Sequence, residues 1–84
     1  MVTSVKGITD TERLAAEIRA EMGRQRKRVR EFAQVIGRTE PTARNRLSGR
    51  FPFTVDELAA TARWLGKSLT DLATAAGLDE GEAA

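Results

Sequence analysis

Cysteine and histidine are both missing from this chain of 84 residues. Their absence removes disulfides, thiol chemistry, imidazole general-base catalysis and almost every structural zinc site together. Nor is there a run of the about 18 consecutive apolar residues that a membrane helix needs. The first ten residues, MVTSVKGITD, hold no continuous apolar core of the kind an export signal carries. These absences describe a soluble, unexported chain, with the cytoplasm as its expected location and no membrane partner. Carboxylates are present but scattered. Asp10, Glu31, Asp56 and Asp71 form no paired catalytic motif, so an enzyme is not expected, and neither is a metal, a cofactor or a small-molecule ligand.

Positive charge is plentiful but confined. Residues 24–50 carry nine cations, Arg24, Arg26, Lys27, Arg28, Arg30, Arg38, Arg44, Arg46 and Arg50, against two carboxylates, Glu31 and Glu40, a net of +7. The flanks are acidic: residues 1–23 sum to −1 and residues 51–84 to −4. A field restricted to one third of the chain suits a polyanion bound on one face, although a basic run alone is also what an ordinary solvated surface looks like. Phe32, on an apolar stripe, is the one aromatic residue among these cations, and no stacking aromatics interleave them, which disfavours base stacking on single strands or RNA.

Apolar periodicity divides residues 9–77 into five helices, with no strand signal and no internal repeat. The expected fold is an all-α, compact five-helix bundle. Thr9 and Glu12 form a capping-box pattern ahead of Leu14, Ala15, Ile18 and Met22, and this first helix ends somewhere in residues 23–27. Val29, Phe32, Ala33 and Ile36 stripe a second helix, which Gly37 stops. Thr39 caps a third over about residues 40–48, with Pro41 in its first turn and Ala43 and Leu47 turned inward. The segment GRFPF cannot continue it, because Pro52 lacks a donor and pushes Phe51 out of the helical region. Thr54 and Glu57 form another capping box, and Phe53 with Leu58 a hydrophobic staple, so a fourth helix starts at Val55. Its apolar face is Val55, Leu58, Ala59, Ala62 and Leu65, and Gly66 ends it. Ser68 and Asp71 open a fifth helix carrying Leu69, Leu72, Ala73 and Ala76, which stops at Gly77. Residues 1–8 read as a flexible N-terminus and residues 78–84 as a frayed acidic tail. Trp64 lies off the main stripe, either as a core-edge ring against the fifth helix or as a dimer contact.

Within residues 33–49, AQVIGRTEPTARNRLSG, two short helices joined through Gly37 have the spacing of a helix-turn-helix: a small Ala33, the glycine four residues on, then Ala43 and Leu47 facing back. Glu40, Pro41, Arg44, Asn45 and Ser48 then fall on the opposite stripe. Their chemistry suits base edges. Arg pairs bidentately with guanine, Asn with adenine, and Glu accepts from the cytosine amino group. Glu40, Pro41, Arg44 and Asn45 are therefore the expected base readers, with Pro41 offering an apolar side to a thymine methyl. Thr39, Thr42, Ser48 and Arg50 sit at the edges of the unit, where phosphates are expected, as are Arg28, Arg30, Arg38 and Arg46 on charge.

The stretch EFAQVIGRTEPTARNRLSG followed by FPFTVDELAATARWLGKSLTDL resembles the lambda-repressor-like, or Cro/XRE-type, helix-turn-helix regulators from about Leu14 to Leu72. RLSGRFPFTVDEL with LGKSLTDL looks like members from actinobacteria and their phages, and eleven arginines against three lysines are compatible with such a source. The resemblance implies a transcription regulator of Cro or repressor type, with its third helix in the major groove of a double-stranded operator, often as a homodimer. Two departures stand out. Arg28-Val29 replaces the usual Ser or Thr followed by Gln, removing a customary phosphate contact. Arg38 and Arg46 occupy positions that are commonly apolar. A protein-interaction module or antitoxin on the same fold is the alternative function.

Overall fold

The computed structural model describes residues 9–78, so the expectations for residues 1–8 and 79–84 lie outside the described residues. Five helices follow one another: α1 Asp10–Gln25, α2 Val29–Ile36, α3 Glu40–Ser48, α4 Val55–Leu65 and α5 Leu69–Ala75. No strand occurs among the described residues. None of these helices is long and apolar enough to cross a membrane.

Side-chain caps start the helices where hydroxyl and acid lie three residues apart. Thr9 with Glu12, Thr54 with Glu57 and Ser68 with Asp71 each close reciprocal capping boxes, satisfying donors that the first turn leaves without carbonyl partners. At α2 only half of this device exists. The Glu31 carboxylate accepts from the Arg28 N–H at 2.8 Å, while a guanidinium at the cap position has no lone pair to return. α1 ends without a glycine, on Arg26 at φ 58°, within the expected window.

α2 packs against α3 and α4, while α1 lies across α3, α4 and α5. Ile18 of α1, Phe32 of α2, Ala43 and Leu47 of α3, Leu65 of α4 and Leu72 of α5 meet in one buried cluster. Gly49 marks the tightest approach. At φ +83° it turns the chain out of α3, and a Cβ there would stand 2.9 Å from the Glu12 Cα. Only glycine fits both the left-handed backbone and the contact with α1.

Three expectations change. Val55 and Leu69, assigned to apolar faces, are 78% and 43% exposed. Each is the first residue of its helix, where the stripe runs past the edge of the bundle, and at α4 the half-buried Phe53 and Leu58 pack on the core instead. Trp64 is half-buried at the edge of the core, one of its two expected settings, with its ring centroid 6.1 Å from that of Phe32 in α2 and the Lys27 Nζ 4.9 Å above it. The domain also extends to Leu78. Its N–H donates to the Ala73 carbonyl at 2.8 Å and its side chain is half-buried, so the fraying expected from residue 78 does not begin there.

Candidate nucleic-acid interface

Gly37 makes the joint between α2 and α3. At φ 69° its N–H closes on Gln34 O, the next N–H, of Arg38, reaches back to Ala33 O at 3.0 Å, and α3 starts three residues after the glycine. Thr39 then accepts from the Thr42 N–H, and Pro41 sits in a turn that asks for no donor. Ala33, Ala43 and Leu47 are all buried, where α2 and α3 pack against one another.

The face of α3 turned away from this contact is polar. Pro41, Arg44 and Ser48 are exposed, and Glu40 and Asn45 are half-buried at its borders. The Arg44 side chain is 65% exposed and lies 3.5 Å from the Glu40 carboxylate, which also stands 4.0 Å from the 80% exposed Arg30. Glu40 thus sits between cations from both helices of the unit. Lys27, Arg28, Arg30, Glu40 and Arg44 border one cleft between the start of α2 and α3. Arg50 is exposed just beyond α3, its backbone N–H held by the Asn45 carbonyl at 3.1 Å. These side chains combine a hydrogen-bonding stripe with positive charge on both sides of it.

The hydroxyls expected at phosphates already have internal partners. Thr39 Oγ1 caps α3 and donates to Thr42 Oγ1 at 3.2 Å, while Ser48 Oγ donates to Asn45 O and accepts from the Arg50 N–H. Both groups shape the ends of α3.

Arg46 departs furthest from expectation. Its side chain is only 13% exposed, and it grips Glu57 of α4 with Nε at 2.7 Å and a terminal nitrogen at 3.3 Å. Arg38 donates through Nε to the same carboxylate at 2.9 Å. Glu57 is 4% exposed and also accepts from the Thr54 N–H at 3.1 Å. The fork from Arg46 is the main reason its carboxyl titrates at about 2, below the ordinary 4.5, with the Thr54 and Arg38 hydrogen bonds adding to it against the opposing effect of burial. Arg46 therefore leaves the set of expected phosphate ligands, because its position faces α4 and a buried acid claims its charge. Arg38 is tied at Nε, while its side chain remains 48% exposed.

Arg24, counted in the basic third, is also paired. It lies 2.9 Å from Glu17 and 2.8 Å from Glu21, and its pKa rises chiefly through the Glu21 hydrogen bond. Two residues are not signalled by their local pattern. Glu57 reads only as a cap, yet Arg38 and Arg46 both donate to it, because a buried guanidinium needs an acid partner. Arg19 donates to the Leu47 carbonyl at the end of α3 and borders a groove with Val29, Arg44 and Ser48. No local spacing announces that contact, which joins residues 28 apart.

Comparison with family models, curated proteins and solved structures finds no match for the chain.

Proposed function

We propose that this protein is a sequence-specific double-stranded DNA-binding regulator of transcription, with α3 as the helix that enters the major groove. One observation carries the reading. A nine-residue helix is sealed on its inner face by Ala43 and Leu47 and presents Pro41, Arg44 and Ser48 outward, next to a cleft bordered by Arg28 and Arg30. The major groove, about 12 Å wide, admits a single α-helix, and an Arg there meets guanine O6 and N7 with two parallel hydrogen bonds. Glu40, Pro41, Arg44 and Asn45 are the proposed base readers. Arg28, Arg30 and Arg50 supply phosphate charge at the margins, with Arg38 as a further cation. Two copies on a symmetric operator would double this surface at the spacing of two half-sites.

Selection from a pool of random duplexes tests the proposal, with the mass of the resulting complex giving the number of copies bound. Enrichment of one sequence is the expected result. A pool that stays random after several rounds refutes sequence-specific recognition and turns attention to a protein partner or an antitoxin role.

A further inference from the structure

We propose that Glu57 is a positioning residue for the recognition surface, fixing α3 against α4 through Arg46 and the α2–α3 turn through Arg38. This rests on the DNA-binding reading of α3 and adds to it a residue that lies outside the helix-turn-helix and does not touch its outer face. Three separate elements converge on one 4% exposed carboxylate: Arg46 from α3 by two hydrogen bonds, Arg38 from the turn by one, and the Thr54 N–H from the start of α4 by one. Glu57 is held in turn by its own helix, since its N–H donates to the Thr54 hydroxyl and its carbonyl accepts from the buried Thr61 hydroxyl at 2.8 Å. The acid is therefore a fixed point, and the arginines are referred to it.

This arrangement differs in kind from apolar packing at the same positions. Apolar contact is non-directional, whereas a planar guanidinium gripped along two bonds is restricted in both distance and orientation. Arg46 lies between Asn45 and Leu47, so rotation of α3 about its axis would lengthen the Arg46 fork while turning Arg44 and Asn45 together. α3 buries only two side chains, Ala43 and Leu47, and although Arg19 donates to the Leu47 carbonyl at its end, the short Ala43 gives little resistance to such rotation.

The test is Glu57→Gln, which keeps the shape but replaces one acceptor oxygen with a donor facing a guanidinium. At least one arginine then loses its partner and retains its charge. Binding to the selected duplex and to a scrambled duplex is measured well below the melting temperature, with amide hydrogen exchange on the free protein alongside. Preference for the selected duplex falls about tenfold, the equivalent of one well-placed base contact. Affinity for the scrambled duplex holds or rises, and its salt dependence steepens by about one unit for each released arginine that reaches a phosphate. Amides of α3 exchange faster relative to those of α1. A merely structural loss lowers both affinities by the same factor, and that result overturns the proposal, as does an unchanged preference with unchanged α3 exchange. Should Glu57→Gln fail to fold, Arg46→Lys, which keeps the charge but not the fork, is judged by the same two criteria. A wild-type protein that prefers no duplex refutes the DNA reading. The positioning claim is then judged on exchange alone and falls if α3 is no looser than α1.

Discussion

Arg44 and Arg46 stand two residues apart on α3 and meet opposite surroundings. Arg44 is 65% exposed beside a half-exposed Glu40 at 3.5 Å, whereas Arg46 is 13% exposed and doubly bonded to the buried Glu57. An ion pair in water contributes little because solvent screens it and two long side chains must be held still, so Arg44 can exchange its partner at small cost. An enclosed pair is different. Its two charges have already lost their hydration, and removing either leaves the other stranded. The alternation of a helix thus separates a reserved charge from an available one within a single turn, and a count of nine cations overstates what a polyanion would meet.

The largest effect expected from this contrast follows breaking the inner pair. Glu57→Ala should cost about 3–5 kcal/mol of stability, since Arg46 is left buried without a counter-charge. That is comparable to the about 2–5 kcal/mol for truncating Leu47 to Ala in the neighbouring core. Chemical denaturation at neutral pH measures both, and a loss under 1 kcal/mol for Glu57→Ala would erase the distinction between the two arginines.

Acid offers a second way to break it. The carboxyl of Glu57 is lowered from 4.5 to about 2 on folding, so its contribution is fully present above pH 4.5 and disappears as pH falls toward 2. Glu21, lowered first by its hydrogen bond from Gln25 and then by that from Arg24, acts in the same direction. The melting temperature should decline steeply through that window, and Glu57→Gln should flatten the decline. A wild-type melt insensitive to pH between 5 and 2 contradicts the assignment.

For the outer arginine the readout is DNA. Arg44→Ala and Asn45→Ala should each weaken binding to the selected duplex by about 1–3 kcal/mol while changing scrambled duplexes less. Arg50→Ala, in the loop past Gly49, should instead weaken all duplexes alike and flatten the salt slope by about one unit from a wild-type value near −4 to −5. Titrations at two salt concentrations separate the patterns. If Arg50→Ala alters base preference and Arg44→Ala does not, α3 is not the reader. Glu40→Gln should have the smallest effect on stability, under about 1 kcal/mol, because its partners are solvated. A larger loss on denaturation would place Glu40 beside Glu57 as a structural acid.

Much of this framework is legible from short range. Thr9, Thr39, Thr54 and Ser68 begin helices, and Gly37, Gly49 and Gly66 end them, because caps and left-handed turns depend on neighbours a few residues away. The inward pair Ala43 and Leu47 follows from helical spacing, and both are buried. Periodicity fails at Val55 and Leu69, since it cannot tell where a bundle's edge cuts across a stripe. It fails again where contacts span the chain. Arg46 and Glu57 are 11 residues apart and Arg19 and Leu47 are 28 apart, distances over which only the assembled packing decides who meets whom. The polar face of α3 is legible as chemistry, while the division between its free and committed cations is not.

Lys27 and Trp64 give the molecule an optical gauge. The ammonium lies 4.9 Å from the centroid of the chain's single indole and also borders the cleft between α2 and α3. A phosphate entering that cleft competes with the ring for the ammonium, and the local field on the indole changes as the amine shifts. If the proposed interface takes phosphate, intrinsic emission should report its occupancy without a dye or a label, from a ring tilted at 36° to that of Phe32.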